Sequence, residues 1–179
     1  MSNIKFTFNS DKASQAILWL IQRNNGSMDK LKLVKLLFLA DREHLAKYGR
    51  PIIGGTYYTM DYGPVSSELL NYLEVAEGGT LPFRVEDQFK LIANQPCDEE
   101  WLSQSDLDVL DGIYKGYGHI DRFLLSDITH QLKAYKKNEP AKGGRSYLTY
   151  EDFFLDLDDK AQKMLALICE EQEAWADFA

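Results

Sequence analysis

Cysteine is scarce in this sequence. Cys97 and Cys169 are its only two, far apart and outside any CxxC pair. That excludes a disulfide framework and the short-spaced thiolate sets of structural zinc sites, and it suits a reducing compartment. Histidine is just as sparse: His44, His119 and His130 have no metal-ligand spacing from one another or from a cysteine. Neither a metal nor another cofactor is therefore expected. Basic charge is short too, with 20 Lys and Arg against 28 Asp and Glu and a formal net charge of -8. Duplex binding replaces phosphate counterions with Lys and Arg, so nucleic acid is a poor partner for this chain. No apolar run approaches the ~20 residues of a membrane span. Met1 to Lys12 shows no signal-peptide pattern. GxSxG and GxxxxGK[ST] are both missing. The expectation is a cytoplasmic protein that does not enter a membrane.

Apolar residues make up 45% of the chain, an ordinary globular share. Their spacing predicts a mainly α fold: a single compact helical domain over residues 1–179, with a small β element made of a short strand plus a hairpin. A first helix is predicted over Lys12 to Arg23, capped by Ser10 and Asp11. Ser27 is expected to open a second helix, Met28 to Tyr48, which Gly49 closes. This helix is apolar over most of its girth, which places it at the centre of a domain. Lys30, Lys32, Lys35, Arg42 and Lys47 are expected to supply its solvent contacts. Thr56 to Met60, β-branched and aromatic, predicts the strand. Pro64 is expected at the first turn of a third helix that reaches about Glu77. Phe83 to Glu86 and Phe89 to Ala93 predict the hairpin across Asp87-Gln88. Further helices are predicted over Asp106 to Tyr117 (capped by Ser105), Ile120 to Leu132, Tyr150 to Leu155 and Asp159 to Ala176. Lys136 to Arg145 is expected to be an exposed, mobile loop.

Asp41 and His44 are the polar pair that calls for explanation. Spaced three apart on the second helix, they can face each other. A carboxylate beside an imidazole can do acid–base work. The plainer expectation is a structural polar cluster that ties helix ends or the Gly49–Gly55 turn, because buried polar groups are normally hydrogen-bonded for such reasons. No catalytic residue is expected, and the chain is not expected to be an enzyme. Lys30, Lys32 and Lys35, following the Asn24-Asn25-Gly26-Ser27 turn, could form half of a helix-turn-helix. A DNA-binding transcriptional regulator is thus the alternative function. Trp175 and Phe178 are placed either to pack on the core or to dock on a partner.

One stretch is more specific. Leu31-Lys32-Leu33-Val34-Lys35-Leu36-Leu37-Phe38-Leu39-Ala40-Asp41 leads to His44-Leu45 and then to Tyr48-Gly49-Arg50-Pro51-Ile52. Gly54, Tyr57, Tyr62-Gly63-Pro64-Val65 and Leu69 follow. This pattern resembles the Panacea domain family, which includes SocA-like antitoxins and phage-associated proteins. Leu110, Tyr117-Gly118, Leu125-Ser126 and Thr129-His130 extend the likeness, with Tyr135 where the family often places a tryptophan. The resemblance is clearest over residues 28–135. It implies an antitoxin that neutralises a cognate protein toxin, encoded beside it, by direct binding. One branch of the family acts instead as an adaptor that delivers its toxin to a protease. The expected toxin contacts are Arg50, Tyr57, Tyr58, Asp61 and Tyr62, since loops and their edges carry function.

Overall fold

The structure is a computed structural model, and it describes residues 4–176. The described residues form seven α-helices and two three-stranded antiparallel sheets. Mainly α with a small β component is the observed class.

Helix α1 (Ser10–Arg23) starts two residues earlier than predicted. Asn9, not Ser10, is the N-cap, accepting the Lys12 N–H at 3.0 Å. Residues Ser27–Asp29, expected as the start of the second helix, instead form strand β1. Helix α2 (Lys30–Tyr48) then begins after Asp29, whose carboxylate accepts the N–H groups of Leu31 and Lys32. Gly49 closes it in the left-handed conformation. The run from Leu33 to Asp41 is buried on every side of the helix. That is possible because α2 packs against α1, β1 and four elements from later in the chain.

Strand β2 (Tyr57–Met60) turns through Asp61-Tyr62 into β3 (Gly63–Ser66), with Met60 paired to Gly63 and Thr59 to Pro64. Pro64 therefore lies in a strand and not at a helix start. It is tolerated because β3 is the edge of its sheet, where a missing N–H breaks no ladder. Helix α3 (Ser67–Val75) begins three residues later, capped by Ser66. Strands β4 (Phe83–Glu86) and β5 (Lys90–Ala93) form the expected hairpin, with Asp87 and Gln88 both at positive φ in its turn. The unforeseen β1 pairs with β5, so the hairpin becomes a sheet of order β1-β5-β4.

Helix α4 (Gln104–Tyr117) is opened by a capping box between Ser103 and Asp106. Helix α5 (Arg122–Gln131) is capped by Asp121. The segment expected as a mobile loop begins with the short helix α6 (Lys133–Lys137) and leads to strand β6 (Ser146–Leu148), which pairs with β2. The segment between them is fastened: the Asn138 carbonyl accepts from Thr59, and Asp61 accepts the Gly143 N–H. Helix α7 (Asp159–Ala176) follows a 3₁₀ turn at Glu151–Phe154. Helices α4, α5 and α7 and strand β3 are the four late elements that enclose α2.

Candidate functional site

Two constructions stand out, a polar clamp and an open groove. The clamp holds the turn between α2 and β2. Asp41, on α2, is fully buried. Its Oδ1 accepts the N–H groups of Ile52 (2.8 Å) and Ile53 (2.9 Å). Its Oδ2 accepts the N–H of Gly54 and the hydroxyl of Tyr57, both at 2.9 Å. Burial pushes the Asp41 carboxyl up to about 6 against the pull of these donors. It is thus ionised at pH 7, the state in which both oxygens accept.

No hydrogen bond joins Asp41 to His44 among the described residues, so the two do not face each other as their spacing allows. His44 serves the other end of the same turn. Its Nδ1 donates to the Arg50 carbonyl at 2.7 Å. That carbonyl can only accept, so the neutral ring keeps Nε2 as an acceptor, and the Ser105 hydroxyl lies 2.9 Å away. Burial holds the imidazole below its ordinary range, against the upward pull of its bond to the Arg50 carbonyl. Asp106 Oδ1 sits 3.2 Å from His44 Nε2 and 3.1 Å from Arg50, while Oδ2 pairs with Lys12 at 2.5 Å. Burial alone would raise the Asp106 carboxyl, but bonds from Lys12 and Ser103 hold it below the usual range. The Asp41 and His44 side chains are sealed from solvent, and their polar atoms are spent on the turn and on the start of α4.

The groove lies between the two hairpin turns, at the N-terminal half of α2. It has a volume of about 620 Å³. Val34 and Lys35 contribute from α2, Met60, Tyr62 and Val65 from the β2–β3 hairpin, and Phe123 from the start of α5. Phe89 approaches from the β4–β5 turn, where its carbonyl accepts the Lys30 N–H at 2.7 Å. Tyr62 and Phe89 are each 61% exposed and Phe123 is 52% exposed. Three large exposed aromatics lining one opening are a feature of the kind that marks interaction surfaces. Arg122 packs over the Phe123 ring, 4.8 Å from its centroid, and pairs with Asp29 at 2.5 Å.

Of the residues expected to touch a partner, Asp61 and Tyr62 line this groove. Asp61 spends both oxygens on the N–H of Gly143, at 3.1 and 3.0 Å. Tyr58, on β2 of the same sheet, does not line the groove: Arg145 covers its ring 4.5 Å from the centroid and Tyr147 of β6 meets it edge-on. Arg50 is partly exposed at the turn, tied to Asp106 and Ser103. Tyr57 is only 2% exposed, packed between Phe38, Tyr150 and Phe153 with its hydroxyl on Asp41. It cannot be a contact residue in this fold, because period-2 alternation turns it inward. Trp175 is exposed and packs on no core, while Phe178 lies outside the described residues.

Lys35 also departs from expectation. Its spacing places it on the solvated face of α2, yet it is 2% exposed, its Nζ donating to the Pro64 carbonyl at 2.8 Å. The basic face proposed for DNA contact thus loses one of its three lysines, and β1 interrupts the turn that would precede a recognition helix. Sequence reasoning passed over Phe89 and Phe123. The signal for Phe123 was available: Phe123-Leu124-Leu125 are consecutive, and a surface helix buries only one of three such neighbours, here Leu125.

No helix among the described residues is long and apolar enough to cross a membrane. No curated protein and no solved structure matches the chain. A family model does match, over residues 33–136, a span that includes the polar clamp, the β2–β3 hairpin and the start of α5. By that match the chain belongs to the SocA-like antitoxin family, characterised by the Panacea domain.

Proposed function

We propose that this protein is an antitoxin that neutralises a cognate toxin by binding it directly, and that the aromatic groove is the surface it uses. The carrying observation is that Tyr62, Phe89 and Phe123 stand exposed around one cavity, carried by the turns of two strand-paired hairpins and by the first turn of α5. Exposed aromatics set in a preorganised frame give contact area at low entropic cost, which is what a binding hot spot requires. Membership of an antitoxin family supplies the class of partner. In mechanism, the toxin's active or target-binding surface is covered while the complex lasts, with no chemistry demanded of this chain.

The test is paired expression with the neighbouring gene in the cytoplasm of a bacterial host. The neighbour arrests growth alone, growth returns when this chain is co-expressed, and the two proteins purify together. Rescue accompanied by loss of the neighbour protein, without a stable complex, would replace occlusion with delivery to a protease.

A further inference from the structure

Two lysines that line the groove, Lys30 and Lys35, have no carboxylate partner among the described residues, and of the two only Lys35 is buried. Lys35 Nζ has three N–H donors and meets a single acceptor, the Pro64 carbonyl. Among the described residues no carboxylate pairs with it. Of the other charged groups that line the groove, Arg122, Asp29 and Asp61 have partners. Arg122 and Asp29 pair with each other, and Asp29 also caps α2. Asp61 is committed to Gly143. Lys30 lines the groove from the first turn of α2. His130, on α5, is held below the ordinary imidazole range by burial and by the nearby Lys35 charge. Desolvation pulls the Lys35 ammonium down to about 7, as expected for a buried lysine without a counter-ion.

Lys35 lines this apolar cavity and carries a buried ammonium with a single acceptor, and a positive charge so placed is the electrostatic complement of a carboxylate on whatever enters. A cavity of about 620 Å³ has room for more than one side chain. Its aromatic rim favours an aromatic guest by edge and offset packing. A terminal carboxylate fits less well than a side-chain one, because chain ends are captured by convergent backbone N–H groups and the Gly143 N–H is already taken by Asp61. We propose that the groove seats a segment of the protein partner in which an aromatic side chain adjoins an Asp or Glu, the ring lodging among Met60, Phe89 and Phe123 and the carboxylate closing on Lys35 Nζ. The inference rests on the antitoxin reading only for the identity of the protein that owns the segment.

The probes are acetyl-Phe-Glu-amide, acetyl-Phe-Gln-amide and acetyl-phenylalanine with a free carboxylate, titrated at pH 6.5 into full-length protein labelled at the methionine methyl groups. The Met60 methyl reports the groove. The Glu peptide is expected to shift it with at least tenfold higher affinity than the Gln peptide, and Lys35→Met should bring the two to parity. A second reading needs no variant: the Lys35 side chain titrates at higher pH with the Glu peptide bound and is unmoved by the Gln peptide. Equal affinity for the two peptides, or no response of Met60 to either, overturns the proposal. Tighter binding of acetyl-phenylalanine than of the Glu peptide overturns the side-chain source. Failure of these titrations alongside growth rescue leaves the antitoxin reading intact and moves its contact elsewhere. Success without rescue leaves the groove's chemistry intact and removes the antitoxin reading.

Discussion

The Tyr57 hydroxyl donates to Asp41 Oδ2 at 2.9 Å, across sixteen positions of chain, on the same carboxylate that holds the N–H groups of Ile52, Ile53 and Gly54. One helix side chain therefore sets both the path of the turn and the inward face of β2. Asp41→Ala strands four buried donors. Leaving a buried polar group unpaired costs about 1–3 kcal/mol, so the variant should lose at least about 3 kcal/mol in urea unfolding, with neutralisation falling in step. Asp41→Asn should be nearly as damaging, because an amide nitrogen would face either Gly54 or the two isoleucine N–H groups. A variant that keeps wild-type stability and loses only neutralisation would make Asp41 a functional residue and not a structural one.

Lys35 gives the opposite sign. Its ammonium ordinarily titrates at 10.5 and is pulled to about 7 in the fold. Between those values the unfolded chain binds more protons than the native one, so this group makes stability rise with pH across that window. Below about 7 the lysine is charged in both states and its penalty is at its full, constant size. Lys35→Met should therefore stabilise the protein by about 1–4 kcal/mol at pH 6, the range for replacing buried ionic groups with apolar ones of similar volume. The gain should fade towards pH 10. Denaturant titrations of both proteins at pH 6, 8 and 10 read this directly, and a loss of stability at pH 6 would refute it.

Gly63 has φ +103, and a Cβ there would lie 2.5 Å from Thr129 Oγ1 and 3.2 Å from Lys35 Nζ. Gly63→Ala should cost about 1–3 kcal/mol from backbone strain alone, and more from displacing Thr129. Thermal unfolding measures the loss. A change below about 0.5 kcal/mol, the usual size for surface substitutions, would mean the hairpin relaxes freely.

Phe89 and Phe123 separate binding from folding. Both are more than half exposed. Phe89→Ser and Phe123→Ser should leave stability within about 0.5 kcal/mol while weakening toxin binding by about 2 kcal/mol, roughly thirtyfold in Kd. Calorimetry of the purified pair gives the affinity, and unchanged affinity in both variants would place the interface elsewhere.

Much of the frame was legible because its signals are local. The girth of α2 announced a central helix, Gly49 its end, and Asp87-Gln88 the hairpin turn. What could not be read depends on partners distant in sequence. Ser27–Asp29 become a strand only because β5 lies beside them, and Pro64 sits in a strand only because β2 and the sheet edge accept it. Lys35 looks solvated by pattern, since nothing near it in sequence says that β3 will cover it. Tyr57 and Tyr58 were indistinguishable as aromatics, and the strand's alternation sends one to the core and the other outward. Asp61 and Tyr62, which their place in a turn singles out in the sequence, line the groove, whereas Phe89 and Phe123 reach it only once the two sheets and α5 are brought together.

The most direct measurement of the central claim is growth rescue with co-purification, using the neighbouring gene product against the unaltered chain and the Phe89→Ser/Phe123→Ser double variant. Direct neutralisation through the groove predicts rescue and a stable complex with the unaltered chain, and loss of both with a double variant that is still folded. A neighbour that is harmless alone, or a double variant that rescues and co-purifies as well as the unaltered chain, would contradict it.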